Sequence, residues 1–349
     1  MKYNIPKEYY ELFQIFSPDF PEFLHEFLEA KSLQRLGHIG QNCGTEYTKF
    51  FDYKFPANRL WHSIGVALII WNFTHDKKQT LSGLFHDISN SIFSHAWDYL
   101  LWDAQTQEAA ELYITDILKS DETIIKLLQK YDISIDEIDD YAKYTIADNP
   151  GPQLSSDRLE YTLEAAIYLW YNTFVEVKKM YDDIIILKNE KWEKELGFQT
   201  KSVALEFARL SILNDSSCFS SFESHISMSF LSEILRVSIQ EKIVSFSQLY
   251  NIWEAEFIQK IYTSKNQKVI QMWEFFIKMG KYELFKKEPQ ISKYYVYSKT
   301  KKRYIDPLVQ TIDGAKRISQ IYEDFQKKVD SHLHSNEKWI VVDYERSDM

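Results

Sequence analysis

LSGLFHDI, residues 81–88, is a mostly apolar segment that carries an adjacent histidine and aspartate, His86 and Asp87, close to its end. We predict a helix here, so that two side chains able to ligate a metal leave its C-terminal end together. Residues 59–73 are predicted to form the preceding helix, because apolar residues recur there at three- and four-residue spacing. This helix carries His62, and the spacing from His62 to His86 allows an antiparallel helix pair with a short connection.

The rest of the chain is also mostly helical in pattern. Further helices are predicted at 5–36 (two short ones), 92–102, 107–119, 121–131, 135–146, 157–171 and 201–214, in the stretch up to 279, and at 314–329 before a polar tail. Residues 37–44 contain three glycines in eight positions and are predicted to form a loop. We therefore expect an all-α fold with one helical unit over 1–200 and a mostly helical C-terminal region over 201–349.

One exception to the helical pattern lies near the C-terminus. Residues 291–297 form an aromatic, β-prone run, and a basic turn leads from them to residues 303–305, so a small β-hairpin is predicted over 291–305. Nine basic and two acidic residues lie between 278 and 303. The interpretation we favour is a solvated turn. The alternative is a phosphate-binding patch for a nucleotide effector or for nucleic acid.

Composition narrows the class of protein. The chain has 349 residues, 45% of them hydrophobic, so it can bury a sizeable core. The net charge of −10, from 41 basic and 51 acidic residues, argues against a general polyanion binder. The two cysteines, Cys43 and Cys218, are far apart in sequence and fit a reducing compartment. The N-terminal residues lack the apolar run of a signal peptide, and no apolar stretch is long enough to cross a bilayer. These features predict a cytoplasmic protein without a membrane partner.

The residues best suited to chemistry are His62, His86, Asp87 and Asp157. Two imidazoles and two carboxylates form a mixed nitrogen and oxygen set that suits one divalent ion of Mn, Fe, Ni, Co, Zn or Mg. Each residue also has a purely structural interpretation. His62 could be a buried core histidine, and Asp157 could cap a helix in a capping box with Glu160.

Four blocks of sequence, in order, resemble the HD-domain metal-dependent phosphohydrolases, and most closely the branch that contains deoxynucleoside triphosphate triphosphohydrolases. These blocks are NRLWHSIGV (58–66), GLFHDI (83–88), FSH (93–95) and DRLEY (157–161). The resemblance extends over about residues 30–170. It implies an HD-domain helical bundle in which His62, His86, Asp87 and Asp157 hold one metal ion.

The same resemblance implies a set of substrate contacts. Arg59 matches an arginine that contacts a phosphate, and its planar, permanently charged fork suits that task. Arg158 lies where the family places another basic phosphate contact. Gln41 matches a glutamine that faces the sugar, and Tyr161 matches a tyrosine that packs on the sugar. The structural alternatives are a solvated first-turn arginine at Arg59 and a core aromatic residue at Tyr161.

His95 and Asp98 lie three residues apart on one predicted helix face. The resemblance implies that His95 reaches the substrate phosphate and that Asp98 supports proton transfer; the alternative is a surface or half-buried pair. The sequence also departs from the family pattern at two positions. Asn90 and Gln107 occupy positions where the family usually has histidines, and neither side chain exchanges protons near pH 7. We therefore expect one metal ion rather than two, with Asp98 as the main group for proton handling.

These observations predict a metal-dependent phosphohydrolase that acts on a nucleotide or another phosphate-ester small molecule. The alternative is a catalytically altered HD-fold sensor that binds a nucleotide or metal and signals through the C-terminal half. A third, weaker hypothesis is a nucleic-acid partner bound through residues 278–303. Assembly into a homo-oligomer is left open.

Overall fold

Helices dominate the part of the chain that the computed structural model describes, residues 5–100, 113–299, 301–335 and 337–348. The α-helices are α1 (Lys7–Phe16), α2 (Glu22–Phe27), α3 (Lys31–Arg35), α4 (Arg59–Thr74), α5 (Lys77–Phe85), α6 (Ala96–Leu100), α7 (Ile114–Ser120), α8 (Glu122–Lys130), α9 (Ser156–Tyr168), α10 (Phe174–Asp182), α11 (Lys201–Asn214), α12 (Phe222–Gln240), α13 (Glu254–Thr263), α14 (Gln267–Phe276), α15 (Ile318–Ile321) and α16 (Glu323–Leu333). The strands are β1 (Ile184–Lys188), β2 (Lys194–Phe198), β3 (Glu283–Phe285), β4 (Lys293–Tyr297), β5 (Leu308–Thr311), β6 (Gly314–Arg317) and β7 (Trp339–Glu345).

The helix pair α4 and α5 forms around the segment at 81–88. Asn58 caps α4 by accepting a hydrogen bond from the backbone N–H of Trp61, and Asp76 caps α5 in the same way. A side chain at Gly83 would place its Cβ 2.2 Å from Cδ1 of Ile70 on α4, so this glycine lets the two helices approach closely. Helix α5 starts earlier than predicted and ends at Phe85, which leaves the His–Asp pair in the turn that follows.

Helix α9 lies against α4 and starts at Ser156. The residue that caps it is Ser155, whose hydroxyl accepts from the backbone N–H of Arg158 at 3.2 Å. The alternative in which Asp157 caps this helix is therefore wrong. Asp157 lies in the first turn instead, where its carboxylate is available to the space between α4, α5 and α9.

The strands form two small sheets that the sequence analysis mostly missed. One has the order β1-β2-β5-β6 and the other the order β3-β7-β4. The predicted hairpin over 291–305 is wrong, because β4 pairs antiparallel with β7 and Tyr297 lies opposite Trp339. Residues 301–307 form no strand. The predicted polar tail thus contains β7, and the predicted last helix starts as strand β6 before continuing as α15 and α16.

Several smaller predictions also differ from the structure. The N-terminal region contains three helices, α1 to α3, instead of two. Residues 135–146 form two short 3-10 turns rather than a helix, since Asp140 turns the chain by accepting from the backbone N–H of Ala142. Gln107 and the beginning of the helix predicted at 107–119 lie outside the described residues.

Buried apolar side chains form two main clusters. The first takes most of its residues from α1 to α5 and α7 to α11, and the second from α12 to α14, β4, β7 and residues 92–97. A cavity borders on both, because Tyr168 of the first cluster and Met228 of the second line it. The division into units 1–200 and 201–349 stays a prediction. Within the described residues, none of the helices is long and apolar enough to span a lipid bilayer.

Candidate metal centre and its cavity

The four predicted metal ligands converge at the junction of α4, α5 and α9. Nε2 of His62 lies 3.2 Å from Nε2 of His86, 3.1 Å from a carboxylate oxygen of Asp157 and 3.9 Å from one of Asp87. Nε2 of His86 lies 3.6 Å from Asp87 and 3.8 Å from Asp157. Two nitrogens and two carboxylates from three parts of the chain therefore surround one point.

Hydrogen bonds orient both histidine rings towards that point. Nδ1 of His86 donates to the carbonyl oxygen of Gly83 at 2.7 Å, which leaves the lone pair of its Nε2 facing the other ligands. Nδ1 of His62 donates to Oε2 of Glu160 at 2.5 Å. A histidine that gives its second nitrogen to a carboxylate or carbonyl is the usual arrangement for a metal ligand.

Glu160 was assigned only a capping role in the sequence analysis, and its position is different. Its side chain is fully buried on α9 and reaches α4 at a glycine, Gly65, where an added Cβ would lie 2.5 Å from Oε1 of Glu160. Burial raises the pKa of Glu160, and the neighbouring His62 opposes this rise by favouring the carboxylate. The signal in the sequence was a pair of acidic residues, Glu160 and Glu164, at inward-facing positions of an otherwise apolar helix face.

Arg59 is held inside the site rather than in solvent. Its Nη1 donates to Oδ2 of Asp87 at 2.7 Å and its Nε donates to the hydroxyl of Ser94 at 3.0 Å. Ser94 and Phe93 both have positive φ angles, 42° and 58°, a backbone conformation uncommon for residues other than glycine. Burial alone would raise the pKa of Asp87, but Arg59 and the two histidines outweigh it and hold that pKa well below its usual range.

The site opens into a cavity of about 630 Å³, a volume typical of small-molecule sites. The predicted substrate contacts Gln41, Arg59, Arg158, Tyr161 and His95 all line it. Nη1 of Arg158 lies 3.1 Å from a carboxylate oxygen of Asp148, and Tyr161 packs edge-on against Phe219. The structure thus brings these five residues to one cavity with the four ligand candidates.

Asp98 lies behind this cavity. It is 2% exposed, and its Oδ2 accepts a hydrogen bond from Nδ1 of His95 at 2.8 Å. His95 lines the cavity and Asp98 does not, so Asp98 can influence a bound molecule only through His95. Asn90 is also buried and does not line the cavity, and its side-chain nitrogen has no hydrogen-bond partner within the described part of the chain.

The donor set fits a divalent metal ion. Nε2 of His86 presents a lone pair 3.2 Å from Nε2 of His62, and two carboxylates stand beside them, an arrangement that a shared cation satisfies. Burial lowers the pKa of His62, but Glu160 and Asp157 outweigh it and raise that pKa well above its usual value. The same negative surroundings favour a cation at this point. The buried His and Asp groups could therefore bind a metal.

Comparisons with known proteins include one protein that is named as metal-dependent. No protein-family model matches the chain. It is 23% identical over 322 residues to the uncharacterized protein YdhJ of Bacillus subtilis, covering 91% of this chain and 94% of that protein. It is 24% identical over 241 residues to the metal-dependent phosphohydrolase cns2 of Cordyceps militaris, covering 67% of each. A crystal structure of a hypothetical protein from Aquifex aeolicus has a similar fold, with a TM-score of 0.66 at 15% identity over 94% of both chains.

A second wall of the cavity, formed by a basic segment, was not predicted as part of the site. Lys301, Lys302 and Arg303 line it together with Tyr304, although the sequence analysis favoured a solvated hairpin tip for the basic residues. Lys302 and Arg303 are half-buried there. Because residues 301–307 form no hairpin, the solvated-tip interpretation does not hold for these two side chains.

His332, which falls in the predicted polar tail, is buried on α16. Its Nε2 lies 2.9 Å from a carboxylate oxygen of Asp215 and 3.1 Å from the carbonyl oxygen of Arg303. Both partners are acceptors, so this nitrogen carries the proton. His332 thus ties α16 to the basic segment at the cavity. The helical spacing of Phe325, Val329 and His332, all buried, was the available signal.

Proposed function

We propose that this protein is a metal-dependent phosphohydrolase of the HD type that acts on a nucleotide or a related phosphate ester. The observation that carries the proposal is the convergence of His62, His86, Asp87 and Asp157 at the wall of a cavity that also presents cationic side chains. The similarity to cns2, named a metal-dependent phosphohydrolase, supports the same reaction class. Within the HD-domain proteins, the triphosphohydrolase-like branch remains the nearest match in motif.

In this proposal the four convergent residues hold one divalent ion. Such an ion supplies polarisation of a phosphoryl oxygen and activation of water near neutral pH. Glu160 fixes the ring of His62 from behind, and the Gly83 carbonyl fixes the ring of His86. The site is thereby rigid before substrate binds, which lowers the cost of aligning the reacting groups.

The remaining cavity residues bind and orient the substrate. Arg158 stabilises negative charge on the phosphate group, and His95 donates to or accepts from an oxygen of that group. Asp98 orients His95 by accepting a hydrogen bond from its Nδ1. Arg59 acts mainly by holding Asp87, because its Nη1 is already bound to that carboxylate. Gln41 and Tyr161 contact the sugar or another uncharged part of the substrate.

The second candidate function is a sensor that binds a nucleotide or a metal without turnover. The observation that favours it is Asn90, which stands where the resembled family has a proton-transferring histidine and is buried away from the cavity. A sensor would bind nucleotide and gain thermal stability from it, because a ligand that binds only the native state raises its apparent stability.

Metal analysis combined with a phosphatase screen tests the proposal. The purified protein is expected to contain about one divalent ion per chain and to release phosphate from at least one nucleotide or from p-nitrophenyl phosphate. Nucleotide-dependent thermal stabilisation without phosphate release, in the presence of each of the candidate metals in turn, would favour the sensor. Absence of both metal and nucleotide binding would contradict the two functions together.

A further inference from the structure

The cavity is positively charged in an acidic protein. Five cationic side chains line it, against three carboxylates: the cations are Arg59, Arg158, Lys301, Lys302 and Arg303, and the carboxylates are Asp87, Asp148 and Asp157. The whole chain carries a net charge of −10. A divalent ion at the predicted metal centre would raise the positive charge of the cavity further. The cavity therefore favours a ligand with several negative charges.

The carboxylates of the cavity pair with some of these cations and not with others. Asp87 is bound to Arg59 and Asp148 to Arg158, both on the metal side of the cavity. In the basic segment of the lining, Nζ of Lys302 donates to the hydroxyl of Ser220 at 3.3 Å. Among the described residues, Lys302 makes no ion pair with a carboxylate. The charge of Lys302 is thus compensated less directly than the charges of Arg59 and Arg158, which each lie beside a carboxylate.

The backbone that carries Lys302 is held at several points. Nε2 of His332 donates to the carbonyl oxygen of Arg303, and the N–H of Ile305 donates to the hydroxyl of Ser211 at 3.0 Å. The N–H of Asp306 donates to the carbonyl oxygen of Pro152 at 2.9 Å. On the other side, Nε2 of His225 donates to the carbonyl oxygen of Tyr297 at 2.9 Å. A solvated linker would not need these contacts, so the segment is positioned.

We infer that Lys301, Lys302 and Arg303 form a second anion-binding subsite, distinct from the metal centre and positioned by His332. If the proposed function holds, on which this inference rests, the substrate carries a second anionic group, such as another phosphate, away from the phosphorus that is attacked. Lys302 contacts that group directly. His332 is a positioning residue, because it reaches the subsite only through the Arg303 carbonyl.

Lys302→Ser is the direct test, with Lys299→Ser as its matched control. Lys299 is exposed, lies three residues earlier and does not line the cavity. For a nucleotide with two phosphate groups, Lys302→Ser is expected to raise KM about tenfold, the loss typical of one charge-assisted hydrogen bond. The KM for p-nitrophenyl phosphate, which has one phosphate, should not change. Added NaCl should weaken nucleotide binding less in Lys302→Ser than in the parent.

Calorimetric titration of the metal-loaded protein with inorganic pyrophosphate gives a measurement that does not depend on turnover. Lys302→Ser should bind pyrophosphate about tenfold more weakly than the parent and Lys299→Ser. His332→Phe should show a similar loss, and His332→Gln, which keeps a donor, should recover most of it. An unchanged affinity in His332→Phe would contradict the positioning role.

The outcomes separate the two proposals. Turnover with equal KM and equal pyrophosphate affinity in the parent and Lys302→Ser would overturn the subsite and leave the phosphohydrolase proposal standing. Pyrophosphate binding that depends on Lys302, in a protein that hydrolyses no phosphate ester, would overturn the phosphohydrolase proposal and keep the anion subsite. If the protein neither hydrolyses a phosphate ester nor binds pyrophosphate in a way that depends on Lys302, both proposals are overturned.

Discussion

The two walls of the cavity are built in different ways. The metal wall consists of side chains on α4, on α9 and in the turn after α5, and neighbours on these helices orient His62, His86 and Asp87. The cationic wall is an irregular segment, held through backbone groups by side chains on α11 and α16. Helix periodicity determines the first arrangement, whereas the second depends on contacts between residues far apart in sequence.

The difference extends to burial and charge. His62, His86 and Asp87 are each less than 10% exposed, and Asp157 pairs with His62 as Arg59 pairs with Asp87. Lys302 and Arg303 are half-buried at the cavity surface. Removing a buried, paired group leaves its partner uncompensated and costs several kcal/mol, whereas removing a partly exposed cation costs little stability. We therefore expect large effects on metal binding at the first wall, and effects limited to ligand affinity at the second.

The largest effect is expected from Asp87→Ala. It removes a charged ligand and leaves Arg59 buried without its carboxylate partner. Metal content measured by atomic emission should fall from about one ion per chain to near zero, and phosphate release should fall with it. Asp157→Asn keeps the shape of the side chain and should cause the same loss of metal with a smaller loss of stability.

Asp116→Ala is the matched control, since Asp116 is an exposed carboxylate on α7 that does not line the cavity. It should keep full metal content and turnover. Unchanged metal stoichiometry in both Asp87→Ala and Asp157→Asn would show that the four convergent residues are not the metal site.

The next largest effect, a loss of kcat, is expected from Asp98→Asn. Because Asp98 accepts from Nδ1 of His95, an asparagine at this position weakens the hydrogen bond that orients the ring. We expect kcat to fall by about 10²-fold, at the lower end of what general acid–base catalysis contributes, with KM and metal content kept.

A double-mutant cycle separates this role from a structural one. If Asp98 acts only through His95, His95→Gln combined with Asp98→Asn should lower kcat no more than His95→Gln alone. Additive losses, or a rise in KM equal to the fall in kcat, would contradict the assignment.

Much of the metal wall could be predicted from the sequence, and most of the cationic wall could not. The span of α4 follows from apolar spacing and the Asn58 cap, and the His–Asp pair after an apolar helix indicates a ligand pair. The partner of β4 is β7, about 40 residues further on, and no local pattern identifies such a pairing. The basic run was assigned to a hairpin for that reason, although its charge pattern correctly marked it as unusual.

Burial was the second feature that could not be predicted from the sequence. Asp157 next to Glu160 has the pattern of a capping box, and only the packing of α9 on α4 shows that Ser155 caps the helix while Glu160 reaches His62. His332 shows the same limit, since its helical spacing from Phe325 and Val329 indicates an inward face but does not identify the partner that it meets there. Asp215, its partner, is 117 residues away in the chain.

Replacement of Glu160, behind the metal wall, is expected to have an intermediate effect on metal affinity, and Glu164 provides the control. Both are fully buried on α9, but Glu160 accepts from His62 whereas Glu164 accepts from the hydroxyl of Tyr9. Glu160→Gln should weaken metal affinity by about 10- to 100-fold, as loss of a partner behind a metal-binding histidine usually does. Competition with a fluorescent chelator measures it. Glu164→Gln should leave metal affinity within about twofold, and equal losses in both variants would point to packing instead.

The smallest effect is expected where the two hydrophobic clusters meet. Glu254 of α13 accepts hydrogen bonds from the backbone N–H groups of Gly40 and Phe93 and from the hydroxyl of Tyr47. Burial raises the pKa of Glu254, and these three donors oppose that rise by favouring the carboxylate. Burial and the neighbouring Glu254 then raise the pKa of Glu46 from 4.5 to about 8, so Glu46 holds a proton near neutral pH.

A raised carboxyl pKa makes stability depend on pH with a definite sign. Between pH 4.5 and about 8 the folded protein binds a proton at Glu46 that the unfolded chain has released, so this contribution to the free energy of unfolding falls as the pH rises. Glu46→Gln cannot lose a proton and should be free of that decline. The Tm of Glu46→Gln relative to the parent should rise by a few degrees from pH 5 to pH 8.5, measured by differential scanning fluorimetry. Glu283→Gln, at an exposed position on β3, should follow the parent across the same range. A Tm difference that does not change with pH would show that Glu46 is ionised in the folded protein, and that the two clusters meet at a charged pair rather than a protonated one.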